Sequence, residues 1–204
     1  MCGNCIQKIK KVMPICAYCE KASIDGMTHA KCKRKLGLDG LISVWKYQGI
    51  ARKALLGLKY KFATAITEEL TGHITKNIKE NDFAFPKDLV LIPVPLHRFR
   101  KNWRGFNQVE EIGKLLCEKM GWNYDGDLLI RSKYKTPQTE LKGKQRKTNV
   151  RGVFTLNPKS YLLPTKCQIL LFDDVYTTGS TIKEAAKVLK RAGVKKVWGL
   201  TITK

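Results

Sequence analysis

The chain has 204 residues, 43% of them hydrophobic, which is ordinary for a globular protein and sufficient for one domain with a small appendage rather than a disordered chain. Thirty-nine Lys and Arg oppose 17 Asp and Glu; the resulting +22 opposes compaction and is usually tolerated where a polyanion is a partner. No apolar run reaches the length of a membrane span, and residues 1–20 lack the apolar stretch of a signal peptide, so a cytoplasmic chain without membrane insertion is expected.

Five of the seven cysteines fall within the first 32 residues. In an intracellular chain such crowding argues for metal before disulfides, whereas Cys117 and Cys167 stand alone in apolar surroundings and read as packing. Cys2-x-x-Cys5, Cys16-x-x-Cys19 and His29-x-x-Cys32 offer three ligand pairs, enough for one tetrahedral zinc with two ligands over. One set is Cys16, Cys19, His29 and Cys32; the competing set is Cys2, Cys5, Cys16 and Cys19. Either closed set leaves no open coordination position, so the zinc would be structural. Residues 1–37 are therefore expected to form a Cys-rich module too short to own a core, with 38–204 as the main domain.

From Leu38 the pattern changes. LDGLISVWKYQG predicts a strand and turn, and a basic, mainly helical stretch follows in which Phe62, Ile66, Leu70, Ile74 and Ile78 recur four apart. LVLIPVP is a short buried-type strand whose prolines end its pairing, and HRFRKNWRG is a loop. A helix is predicted from about Phe106, with Val109, Ile112, Leu116 and Met120 on one side and Gly121 as its stop. Residues 131–151 carry eight basic residues and one acid, Glu140; a loop of that length usually has a function or is disordered. VFTL and ILLF are further strands, IKEAAKVLKRAG a helix ended by Gly193, and VWGLTI the last strand. Strands alternating with helices predict an α/β domain with a mainly parallel sheet.

The chemistry concentrates in ILLFDDVYTTGST, residues 169–181. An apolar strand ending in Asp173 and Asp174 puts two carboxylates where parallel sheets bind ligands. Thr177, Thr178, Gly179, Ser180 and Thr181 then open a helix whose unpaired amides and hydroxyls favour an anion. Thr181 with Glu184 also fits a capping box. The loop is neither a Walker loop nor G-x-G-x-x-G. Two carboxylates repel a bare phosphate, so they must face sugar hydroxyls or a divalent cation on the same ligand. A ribose bearing a 5′-phosphate and a pyrophosphate meets every requirement, with Mg²⁺ on the pyrophosphate. The plainer alternative is an N-capped helix beside two solvated aspartates.

ILLFDDVYTTGST resembles the phosphoribosyl-pyrophosphate (PRPP) signature of type I phosphoribosyltransferases. The resemblance implies that Asp173 and Asp174 contact the ribose hydroxyls and that residues 177–181 hold the 5′-phosphate. IPVPLHRFRKNWRGFNQ, the segment QTELKGKQRKTN and the Cys-rich start are similar to the competence protein F (ComF) family, over nearly the whole chain. That resemblance implies a phosphoribosyltransferase-like domain preceded by a zinc ribbon, in a protein of natural transformation handling single-stranded DNA beside an uptake helicase or channel. It also implies a pyrophosphate loop at 95–105 with Arg98, Lys101 and Arg104 as charge partners, and a mobile basic loop at 131–151 that includes Arg146. On the family's register the chain begins inside a double ribbon, making Cys16, Cys19, His29 and Cys32 the complete half. If the site turns over, a nucleophile displaces pyrophosphate from the anomeric carbon, making a transferase of unknown acceptor. No residue stands out as a general base and no segment reads as a nucleobase hood, so binding is expected ahead of catalysis.

Overall fold

The computed structural model describes residues 8–60, 64–81, 83, 85–86, 88–96, 107–131, 152–159 and 167–204. In chain order the elements are β1 (Gly40–Trp45), α1 (Gly49–Tyr60), α2 (Thr64–Glu80), β2 (Val90–Pro93), α3 (Gln108–Met120), β3 (Asn123–Tyr124), β4 (Leu129–Arg131), β5 (Phe154–Leu156), β6 (Gln168–Val175), α4 (Ser180–Arg191) and β7 (Lys196–Thr203). Five strands form one sheet in the order β1-β7-β6-β2-β3, every pairing parallel. The mainly parallel α/β sheet with flanking helices expected from the sequence is thus present.

Parallel strands are covered on both faces, which is why they read as continuous apolar runs. On one face Val90, Ile92, Ile169, Leu171 and Val197 pack against Ile182, Ala185, Ala186 and Leu189 of α4. On the other, Leu91, Leu170, Phe172, Leu200 and Ile202 meet Leu55 and Leu58 of α1, Leu70, Ile74 and Ile78 of α2, and Val109, Ile112 and Leu116 of α3. The predicted fourfold spacing therefore does mark the buried stripe of α2; Phe62 lies outside the described residues.

Helix α3 starts where the chain supplies a cap. The Asn107 side chain accepts from Val109 N at 3.2 Å, and Gly121, at φ 68°, closes the other end with its N–H on the Cys117 carbonyl. VFTL supplies the further strand expected of it. It forms β5, which pairs antiparallel with β4 in a separate hairpin rather than joining the parallel sheet. Leu129, Val153 and Phe154 carry that hairpin onto the α4 face of the core.

The amino-terminal segment meets both faces: Ile15, Ala17 and Tyr18 join the α4-side core, and Ile9 packs on the other. Lys11 bridges Trp45 and Met27 bridges Gly40, while Cys16 and Ala17 are wholly buried and Ala17 joins the α4-side core. Cys117 is buried and Cys167 half-buried against the core, as the packing reading expected. No described helix is long and apolar enough to cross a membrane.

Candidate functional site

Strands β2 and β6 are neighbours, but their following helices diverge: α3 leads outward to β3 and α4 leads the other way to β7. Such a reversal opens a crevice beyond the strands' carboxyl ends, the usual ligand position in an open parallel sheet. Asp173 and Asp174 end β6 at that crevice.

Alternation along β6 sends the acids to opposite faces. Asp173 stands level with Thr201 of β7, which pairs with Ser43 of β1 at 2.8 Å between hydroxyls, and its Oδ1 accepts from Asp174 N at 2.9 Å. Asp174 turns toward α3, where Gln108 Nε2 donates to its Oδ2 at 3.2 Å. Gln108 is only 3% exposed, and its Oε1 has no hydrogen-bond partner among the described residues. Because Asp174 can only accept, the amide must present its NH₂ there, and the carbonyl oxygen is left waiting for a donor.

The loop after the acids has the form the sequence predicts. Gly179 adopts the left-handed conformation at φ 67°, and a Cβ there would come within 2.3 Å of the Tyr176 ring. Thr178 Oγ1 and Ser180 Oγ pair at 2.7 Å, and α4 begins at Ser180 with its first amides directed at the loop. Thr177 is exposed, Thr178 and Thr181 half-buried. Lys183 Nζ donates to the Thr178 carbonyl at 2.9 Å, placing a positive charge against the loop.

The capping box expected from Thr181 and Glu184 does not form. The N-cap is Gly179, without a side-chain cap, and Glu184 accepts instead from Gly152 N and Lys187 Nζ, both at 2.8 Å. Burial pushes the Glu184 carboxyl up, but these hydrogen bonds outweigh it and hold the group below its ordinary value.

In the amino-terminal module the ligand atoms of Cys16, Cys19, His29 and Cys32 all lie within 4.8 Å of one another. His29 Nε2 is 3.0 Å from the Ala22 carbonyl, which can only accept, so Nε2 carries the proton. Its Nδ1, 3.3 Å from Cys19 Sγ, thereby offers its lone pair to the cluster centre. One ring nitrogen anchored on a backbone carbonyl and the other facing thiols is the arrangement of a metal-binding histidine. Burial pushes the Cys16 thiol up, but backbone N–H groups of Cys19, Tyr18 and His29 prevail and lower it, favouring the thiolate a metal needs. The Cys3His cluster could hold a metal such as zinc. Cys2 and Cys5 of the competing set lie outside the described residues, as do Arg98, Lys101, Arg104 and Arg146.

Sequence reasoning passed over Gln108, Tyr176 and Lys183. Gln108 was legible as the residue opening the helix after the neighbouring strand; Lys183 lies one helical turn beyond Gly179, within reach of the loop.

No family model matches the chain. Among curated proteins it is similar to competence protein F of Haemophilus influenzae, 29% identical over 208 residues that cover 98% of this chain and 89% of that protein. It is also similar to the DNA utilization protein YhgH of Salmonella typhimurium, 26% identical over 100% of this chain and 90% of that one. Competence protein ComFC of Bacillus subtilis is 27% identical over 95% of this chain and 79% of that protein. Among solved structures, a hypoxanthine phosphoribosyltransferase from Staphylococcus aureus aligns at 12% identity and a TM-score of 0.41, covering 66% of this chain and 61% of its own. That structural likeness is too distant to carry an argument. Over nearly its whole length the chain is similar to competence protein F, ComFC and the DNA utilization protein YhgH.

Proposed function

We propose that the crevice between β2 and β6 binds PRPP or a related ribose phosphate carrying Mg²⁺ on its pyrophosphate, in a protein that handles single-stranded DNA during uptake. The observation that carries the reading is the placement of Asp173 and Asp174 at the carboxyl end of β6, directly before a hydroxyl-lined helix start. Residues 177–181 would hold the 5′-phosphate on amides and hydroxyls. Asp173 and Asp174 would accept from the ribose hydroxyls, with Gln108 steadying Asp174. Arg98, Lys101, Arg104 and Arg146 would balance the pyrophosphate. Zinc on Cys16, Cys19, His29 and Cys32 would be structural, because four protein ligands fill a tetrahedral site.

The uptake role is supported by the names competence protein F, ComFC and DNA utilization protein among the relatives, and by the +22 charge. Calorimetric titration with PRPP and Mg²⁺ tests the site. Wild type should release or absorb heat saturably, and Asp173→Asn with Asp174→Asn should weaken binding at least tenfold. Equal binding by the double variant would remove the assignment. Pyrophosphate release with candidate acceptors is the separate assay for a transferase.

A further inference from the structure

The two residues enclosed by Cys16-x-x-Cys19 are Ala17 and Tyr18; Ala17 meets Tyr176, just before the loop that opens α4, and Tyr18 meets Lys183 in the first turn of that helix. Tyr176, the residue that precedes Thr177, donates its hydroxyl proton to the Ala17 carbonyl. Burial pushes the Tyr176 phenol well above its ordinary value, so it remains a donor. Lys183 Nζ lies 5.1 Å from the centre of the Tyr18 ring and 5.3 Å from that of Tyr176 while donating to the Thr178 carbonyl. Tyr18 is itself clamped: its hydroxyl accepts from Leu38 N at 2.8 Å, and Arg34 covers its ring at 4.8 Å. Gly179 is buried against the Tyr176 ring, so the position of that ring decides where the loop backbone runs.

Ligation of Cys16 and Cys19 to one metal would fix the backbone between them, and with it the Ala17 carbonyl and the Tyr18 ring. We propose that the metal knuckle sets the shape of the phosphate loop through Tyr18, Lys183 and Tyr176, so that metal occupancy and anion binding are coupled. The anion half of this statement rests on the PRPP reading; the mechanical half does not. Coupling of this kind is reciprocal at equilibrium: metal should tighten the anion site, and a bound anion should tighten metal binding by the same factor.

Hydrogen exchange separates the two halves. In zinc-loaded protein the amides of residues 177–181 should exchange on the order of tenfold more slowly than in chelator-treated protein, while those of β2 and α3 stay unchanged. Should metal removal raise exchange in β2 and α3 too, a second variant decides. Zinc-loaded Lys183→Met keeps all four metal ligands and should surrender zinc to a chelator on the order of tenfold faster than wild type. Unchanged exchange at 177–181 on local metal loss, or unchanged zinc release from Lys183→Met, overturns the coupling. PRPP with Mg²⁺ should slow zinc release from wild type. If it binds nowhere on zinc-loaded protein while the exchange difference is present, the coupling stands and the PRPP reading falls.

Discussion

Replacing Gly179 by Ala probes the loop at its tightest point. At φ 67° an L-residue pays a left-handed penalty of about 1–2 kcal/mol. The added Cβ would also stand 2.3, 2.5 and 2.6 Å from Cε2, Cζ and the hydroxyl oxygen of Tyr176. That ring is wholly buried and tethered through its hydroxyl to Ala17, so it cannot swing aside as a surface side chain would. Overpacking of this sort costs roughly 1–3 kcal/mol, bringing the total to about 2–5 kcal/mol. For a chain of this size that corresponds to a fall in Tm of roughly 4–20 °C in zinc-loaded protein. Calorimetric unfolding measures it. Because the clash is shared, Tyr176→Ala should cost less in the Gly179→Ala background than in wild type, with a coupling of about 0.5–3 kcal/mol. Gly179→Ala within about 0.5 kcal/mol of wild type, or strict additivity of the two changes, would mean that the Tyr176 ring does not constrain the loop at Gly179.

Gln108→Leu removes the donor to Asp174 and should weaken PRPP roughly tenfold to a hundredfold by titration, since hydrogen bonds to charged groups contribute about 1.5–3 kcal/mol. Glu184→Gln should lower stability by about 1 kcal/mol at neutral pH. The folded carboxyl is held below its unfolded value, so its contribution is present above the ordinary glutamate range and disappears as pH falls through the folded value. Chemical unfolding of wild type and variant at pH 7 and pH 3 should therefore show a gap that closes in acid. His29→Ala should abolish full zinc loading measured by metal analysis, whereas Cys2→Ser with Cys5→Ser should leave one zinc per chain. The opposite pattern would select the all-thiolate set.

What could be read in advance followed from how far apart the cooperating residues stand in the chain. Asp173, Asp174 and residues 177–181 are consecutive, so one strand and one helix start bring them together, and their chemistry showed without any fold. The same holds for Cys16-x-x-Cys19 and His29-x-x-Cys32. Gln108 meets Asp174 across 66 positions, and Tyr176 meets Ala17 across 159, through strand order and docking that no local pattern encodes. β3 is two residues long, below any period, and is held by α3 and the edge of β2. VFTL reads as a strand, but so short a run does not say which sheet it joins. Glu184 had the spacing of a capping box, and a closer partner, the amide of Gly152, took it.

The site's signs of charge bear on how a basic chain can hold both a small ribose phosphate and a nucleic acid. A DNA strand brings phosphates but no free diol: its 2′ position has no hydroxyl and its internal 3′ oxygens are esterified. Asp173 and Asp174 would repel its backbone and receive nothing from its sugars, whereas PRPP offers two hydroxyls beside its phosphates. On the PRPP reading the acid pair would therefore keep a polyanion out of the crevice in spite of the +22 net charge. Other cations stand apart from the acid pair. Lys76 and Lys79 at the end of α2 and Lys119 at the end of α3 line one groove, with Glu80 as the only acid among its described lining residues. Lys119 is eleven residues along α3 from Gln108, about 16 Å at 1.5 Å per residue. On the proposed reading α3 would carry Gln108 beside the ribose site at one end and a cation suited to a polyanion at the other, so the two ligands would not compete for one surface.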